Sequence, residues 1–279
     1  MRNTYSEGRE EKTLKNNRGK KLSIVAMLFA AAVFTLFITS NVFGKLSKDA
    51  SHQHRITLYL AGDSTVSNYP DNMAPRTGWG QVLPAFFDDR VRIKNCAVPG
   101  RSSKSFIMEG RLAGILRKIH KGDYLFIQFG HNDEKFKDPT RYTKPSTTYK
   151  SYLKQYIAGA RQKGAIPVLV TPMERRRFSS GGDALDTHGR YPSAMRELGH
   201  EEHVAVIDLT AKSRKLFQQL GPEKTKELFM WIDPGTNPNF PRGVQDNTHF
   251  QDKGAKEIAK LVVEGIKEHH GLGLRAYLK

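Results

Sequence analysis

Five short apolar runs alternate with segments of helical periodicity over residues 56–209, and that alternation narrows the folds open to this chain more than any other feature. The runs are Ile56–Leu60, Val91–Val98, Tyr124–Phe129, Ile166–Thr171 and Val204–Leu209. Ile56, Leu58 and Leu60 alternate as in a strand. Tyr124-Leu125-Phe126-Ile127-Gln128-Phe129 is almost uninterrupted, as expected of a strand covered on both faces. Between the runs, apolar spacing predicts helices over 81–87, 105–119, 146–162 and 192–202, the third closed by Gly164. Two more helical segments are expected near 210–220 and 222–230, and a last amphipathic one over 252–269. Strands and helices in strict alternation, joined by right-handed crossovers, predict an α/β protein: a three-layer, doubly wound, five-stranded parallel sheet. A hydrophobic content of 38% in 279 residues suffices for one such domain.

That domain is expected over 56–270, preceded by a polar linker at 45–55 and followed by a C-terminal tail at 271–279. Before the linker, Arg18, Lys20 and Lys21 precede an uncharged run of 17 residues, Leu22–Ile38, and then Val42-Phe43-Gly44. The run is longer than the ~7–15 residues of a signal-peptide core and shorter than the ~20 of a membrane span. Residues 1–44 therefore read as an export signal cleaved before Lys45, giving a periplasmic or extracellular protein. The alternative is an uncleaved anchor formed by residues 22–38, the one route by which the chain would meet a membrane.

The formal charge is +17, of which the first 44 residues carry +4 (seven basic, three acidic), leaving +13 for the remainder. So basic a domain favours an anionic partner. No arginine-rich helix, zinc pattern or basic-aromatic motif selects nucleic acid, and none is expected as a partner. Cys96 is the only cysteine, which excludes an intrachain disulfide, and it reads as a small hydrophobe.

The polar clusters lie just after strand ends or in the last long loop. Gly62-Asp63-Ser64-Thr65 follows the first strand, Pro99-Gly100-Arg101-Ser102 the second and Gly130-His131-Asn132-Asp133 the third, while Asp246-Asn247-Thr248-His249 precedes the last helix. Ligands of open parallel sheets sit outside the carboxyl ends of the strands, so Ser64 would be presented where chemistry occurs. A serine hydroxyl acts as a nucleophile only with a base to take its proton. His249 is the candidate base, and Asp246 the acid that would orient it. His131 competes as base but sits beside Asn132, which suits a structural role in that loop. Asp186 and His188 form a further acid–histidine pair in a Gly/Ser-rich loop. His200-Glu201-Glu202-His203 lacks zinc-protease spacing, and no Gly-x-Ser-x-Gly elbow is present.

Taken together, these blocks resemble the GDSL/SGNH hydrolase superfamily, whose name records the Ser, Gly, Asn and His blocks. The resemblance runs over nearly all of 56–270 and is narrowest to its rhamnogalacturonan acetylesterase branch, through Gly78-Trp79-Gly80, Glu109-Gly110-Arg111, Gln128-Phe129-Gly130, Thr171-Pro172 with Arg176, and Phe250 after His249. It implies a flavodoxin-like five-stranded sheet between helices and a serine esterase with Ser64, His249 and Asp246 as nucleophile, base and acid. It also implies an oxyanion hole from the Ser64 and Gly100 amides and the Asn132 side chain, with no cofactor and no metal. The implied substrate is an acetylated acidic polysaccharide, rhamnogalacturonan of the plant cell wall. Acetylated xylan, another acetylated glycan or a lipid ester are the alternatives. Arginine forks suit carboxylates, which makes Arg101, Arg176 and Arg177 candidate substrate-binding residues, with structural ion pairing as the competing role. Arg111 and Arg175 lie in the same neighbourhoods. Trp79 is a candidate for stacking on a sugar, or else a buried aromatic of the first helix.

Overall fold

The computed structural model describes residues 55–279. The signal and anchor readings of residues 1–44, and the linker as far as His54, lie outside the described residues. Strands β1 (Ile56–Gly62), β3 (Val91–Asn95), β4 (Tyr124–Gln128), β5 (Ile166–Val170) and β6 (Ala205–Ile207) form one parallel sheet in the order β3-β1-β4-β5-β6. The expected sheet is therefore present. In this order the chain reverses direction across the sheet between β1 and β4, and a crevice opens there at the carboxyl ends of both strands.

Side chains alternate across a strand, and β1 divides accordingly. Leu58 and Leu60 enter one core, with Trp79, Phe217, Ile258 and Val262 from α1 (Trp79–Val82), α6 (Leu209–Thr225) and α7 (Asp252–Glu268). Tyr59 and Ala61 enter the other, with Phe106, Leu112, Tyr156 and Leu198 from α2 (Ser103–Met108), α3 (Arg111–Leu116), α4 (Lys150–Gln162) and α5 (Tyr191–Glu201). Both faces of the sheet are thus covered, which is why β4 can be apolar throughout.

Four local expectations are corrected. The helix expected over 105–119 is two helices, α2 and α3, broken at Glu109-Gly110. The helix expected over 81–87 starts earlier, as α1, and tightens into a 3-10 turn at Leu83–Phe86, where Pro84 cannot donate. The second helical segment near 222–230 is largely absent. Helix α6 kinks at Gly221-Pro222, and the chain then passes through a 3-10 turn into strand β7 (Phe229–Ile232). The loop expected around Asp246 is strand β8 (Val244–Gln251), which pairs with β7 and with β2 (Arg76–Thr77) in a small antiparallel sheet. The last nine residues also join the domain. Leu272 and Leu274 are buried in the first core, and the Lys279 N–H donates to the Phe86 carbonyl at 3.0 Å.

Candidate active site

Ser64 sits in the turn that leaves β1, and a buried network holds that turn. Asp63 Oδ1 accepts the Thr65 N–H (2.9 Å) and the Thr65 hydroxyl (2.8 Å). Gln128 at the end of β4 donates to Thr65 Oγ1 (2.8 Å), and Trp79 Nε1 donates to Gln128 Oε1 (2.7 Å). The Trp79 N–H donates to the Thr65 carbonyl (2.9 Å), and the Tyr69 hydroxyl to the Ser64 carbonyl (2.8 Å). Trp79 is 1% exposed. It braces the serine turn from beneath and has no free face for a sugar, which corrects the stacking expectation.

Gly78 explains the glycine before that tryptophan: a β-carbon there would lie 2.2 Å from the Ser67 carbonyl oxygen. Gly78→Ala is expected to destabilise the fold by about 1–3 kcal/mol through this overpacking. For a domain of this size that lowers Tm by roughly 2–10 °C. An unchanged melting curve would show that the two segments separate without cost.

The β8 block reaches Ser64 through an irregularity in its strand. Phe250 pairs with Phe229, but the next residue of β7, Met230, pairs with Asp246, so Asn247, Thr248 and His249 bulge from the ladder. Bulges of this kind re-aim side chains beside active sites. Asp246 Oδ1 closes this one by accepting the Thr248 (2.8 Å) and His249 (3.0 Å) N–H groups. Arg176 clamps it from outside. Its N–H donates to the Asn247 carbonyl (2.8 Å) and its Nη1 to Asn247 Oδ1 (3.1 Å), while its guanidinium stacks 4.7 Å from the Trp231 ring.

The bulge aims His249 at the serine across 185 residues of sequence, with Nε2 2.9 Å from Ser64 Oγ and Nδ1 2.6 Å from Asp246 Oδ2. Burial pushes the Asp246 carboxyl up, but the His249 bond and charge and the two backbone N–H groups outweigh it and hold Asp246 down at about 2. An ionised carboxylate only accepts. That assigns the imidazole proton to Nδ1 and leaves Nε2 free to accept from the serine hydroxyl.

Ser64, Gly100 and Asn132 line one pocket, and each brings a donor to it. Among the described residues, the Ser64 and Gly100 N–H groups donate to no other group. Gly100 takes φ +79°, a turn that presents its amide at the end of β3. Asn132 Nδ2 donates one hydrogen to the Arg101 carbonyl (3.1 Å), while Oδ1 accepts from Arg141 Nη1 (3.4 Å). The second Nδ2 hydrogen is left for a ligand. Such an array suits an oxygen that gains negative charge.

A pocket of about 530 Å³ opens over Ser64, Gly100, Asn132 and His249. Tyr69, Pro70, Met73 and Pro99 supply apolar wall, and Arg76 and Lys135 bring positive charge into it. Sequence reading missed both cations. Their only signals were position, Arg76 two residues before the Gly78-Trp79-Gly80 block and Lys135 three after Asn132. Arg76 Nη2 lies 3.7 Å from Asp246 Oδ2, and its Nε is buried without a partner among the described residues. Burial, with Arg141 and Arg175 nearby, lowers the Lys135 ammonium below its ordinary value.

The candidate arginines occupy different places. Arg101 lines an adjoining pocket, and Arg176 gives Nη1 to Asn247 and Nη2 to the Pro222 carbonyl. Arg177 is an exposed residue of the neighbouring loop and lines neither pocket. Arg175 is paired with Glu134, and Arg111 with Glu109. His131 is buried with Nδ1 3.3 Å from Asp63 Oδ2, and burial pulls it down to about 4, so it is neutral and structural. His188 bonds Glu134 and the Met173 carbonyl through its ring, and Asp186 accepts the His188 and Gly189 backbone N–H groups beside it.

Comparison with known proteins agrees with this architecture. The model of the GDSL-like lipase/acylhydrolase family matches residues 60–256. The chain belongs to that family. It is 50% identical over 223 residues to rhamnogalacturonan acetylesterase RhgT of Bacillus subtilis, an alignment covering 80% of this chain and 94% of the relative. It is 48% identical over 211 residues to the probable rhamnogalacturonan acetylesterase YesY of the same organism, covering 76% and 92%. The crystal structure of Bacillus subtilis YxiM superposes with a TM-score of 0.66 at 32% identity, covering 78% of this chain and 58% of the other. The protein is accordingly a carboxylic ester hydrolase of the GDSL type.

Proposed function

We propose that this esterase removes O-acetyl groups from rhamnogalacturonan, with Ser64 as nucleophile, His249 as general base and Asp246 as the acid that orients it. The observation that carries the chemistry is the Ser64–His249–Asp246 chain of hydrogen bonds at 2.9 and 2.6 Å. Ser64 Oγ attacks the acetyl carbonyl as its proton passes to His249 Nε2. The carbonyl oxygen becomes an oxyanion received by the Ser64 and Gly100 N–H groups and the free Asn132 N–H. Collapse breaks the ester bond, and the departing sugar oxygen takes the proton back from His249. Water then repeats the sequence on the acetyl-serine, releasing acetate and restoring Ser64. The apolar wall of Tyr69, Pro70 and Met73 accommodates the acetyl methyl and a sugar face.

Substrate charge is argued from the pocket and from the relatives' names. Arg76 and Lys135 line the same pocket as Ser64; Arg76 already faces Asp246, and a uronate carboxylate would supply the partner that Lys135 lacks among the described residues. Neutral acetylated xylan would leave Lys135 without a carboxylate partner, and a lipid chain would have to bury both cations. A polymer of this kind does not cross a membrane, which supports the export reading of residues 1–44. Sequencing the amino terminus of the mature protein tests that reading, a start at Lys45 being expected.

Acetate release from acetylated rhamnogalacturonan, acetylated homogalacturonan and acetylated xylan, compared side by side, tests the substrate. Rhamnogalacturonan is expected to give the largest kcat/KM, and a preference for xylan would refute the proposal. Raising salt from about 0.1 M to about 1 M shortens the Debye length from ~10 to ~3 Å. Apparent KM on the acidic polymer should rise several-fold, with little change for a small aryl acetate.

A further inference from the structure

A second pocket, of about 400 Å³, adjoins the first at Gly100 and is lined by Arg101, Arg141, Glu109 and Met108 among others. We propose that it is a subsite for a uronic-acid residue neighbouring the acetylated sugar, with Arg101 and Arg141 binding its carboxylate. The proposal deepens the acidic-polysaccharide reading and rests on it.

Three observations support the assignment. First, the two pockets share Gly100, and Asn132 ties them together by donating to the Arg101 carbonyl and accepting from Arg141. A glycan with an acetyl group over Ser64 would extend directly into the second pocket. Second, both guanidinium groups are held by their inner edges. Arg101 gives Nε to Glu109 (3.0 Å) and Nη1 to the Pro99 carbonyl (2.9 Å), and Arg141 gives Nε to Asp138 (2.5 Å). Among the described residues, neither Nη2 has a partner. A fork fixed in this way loses little conformational freedom when it binds a carboxylate.

Third, the charge balance leaves room for one anion. Glu109 is shared between Arg101 and Arg111, and Asp138 answers Arg141, so three arginines face two carboxylates. Lys135 stands nearby in the first pocket, its charged form disfavoured by burial and by Arg141, and a bound carboxylate would relieve that crowding. Met108, 71% exposed at the rim, offers an apolar surface for the carbon face of the same ring.

The test uses acetylated rhamnogalacturonan oligosaccharides and the same oligosaccharides after carboxyl reduction, with folding of each variant checked by circular dichroism. Arg101→Gln and Arg141→Gln are each expected to raise KM on the acidic oligosaccharides about tenfold, the loss of one charge-assisted hydrogen bond. On the reduced oligosaccharides the rise should be small. Arg141→Lys, which keeps the charge without the fork, should fall between wild type and Arg141→Gln. If the wild type deacetylates the acidic oligosaccharides and both Gln variants keep its KM, the subsite is refuted and the substrate reading stands. An equal loss of kcat on both substrates at unchanged KM would make Arg141 a support for Asn132, and would also refute the subsite. No acetate release by the wild type would remove the substrate reading and the subsite with it.

Discussion

Ser64→Ala is expected to lower kcat for ester hydrolysis by about 10⁶-fold, the loss seen when a nucleophile acting as one unit with its base is removed. The fold should be unaffected. Among the described residues Ser64 Oγ bonds only His249 Nε2, while the Ser64 carbonyl, which receives the Tyr69 hydroxyl, survives the substitution. The turn itself is held by Asp63, Thr65, Gln128 and Trp79, none of which touches the serine hydroxyl. Release of acetate and an unchanged melting curve, measured on the same preparation, check both halves. Turnover near wild type in a folded Ser64→Ala protein would refute the serine mechanism, and covalent labelling of Ser64 by an organophosphonate gives an independent reading.

The second large effect is expected at Asp246→Asn, with kcat falling by about 10⁴-fold. An asparagine retains an acceptor for the Thr248 and His249 N–H groups, so the bulge can persist. Its amide would face Nδ1 with a donor, however, and favour the tautomer that turns a protonated Nε2 toward Ser64. Circular dichroism on the same variant separates this from structural damage. Asp246 contributes differently to stability. Its carboxyl is held at about 2 in the fold against an ordinary 3.8, so the unfolded chain binds the proton more readily. That contribution is complete above about pH 4 and disappears as pH falls through about 2. A kcat within tenfold of wild type in a folded Asp246→Asn protein would detach Asp246 from the base.

Local sequence determined the frame of this protein. The run at Tyr124–Phe129 is apolar on both alternating faces, and only a strand covered on both sides accepts that pattern. Ser64, Gly100 and Asn132 were legible because each lies beyond the carboxyl end of a parallel strand, where such ends meet along one edge, and because the family resemblance supplied their roles. What lay between strands was decided by partners distant in sequence. Phe229-Met230-Trp231-Ile232 carries no periodicity that separates a helix from a strand, and β8 is too polar to read as a strand alone. Each becomes one only through the ladder with the other, and the three-residue bulge that carries His249 exists only where their registers conflict. The same holds for charge. Nothing local to Arg76 or Arg176 says that the first lines the serine pocket while the second clamps Asn247, because a guanidinium's role follows from which acceptors the folded chain brings within reach. Trp79 is likewise a brace because Gln128, 49 residues away, meets its indole in the buried layer beneath Ser64.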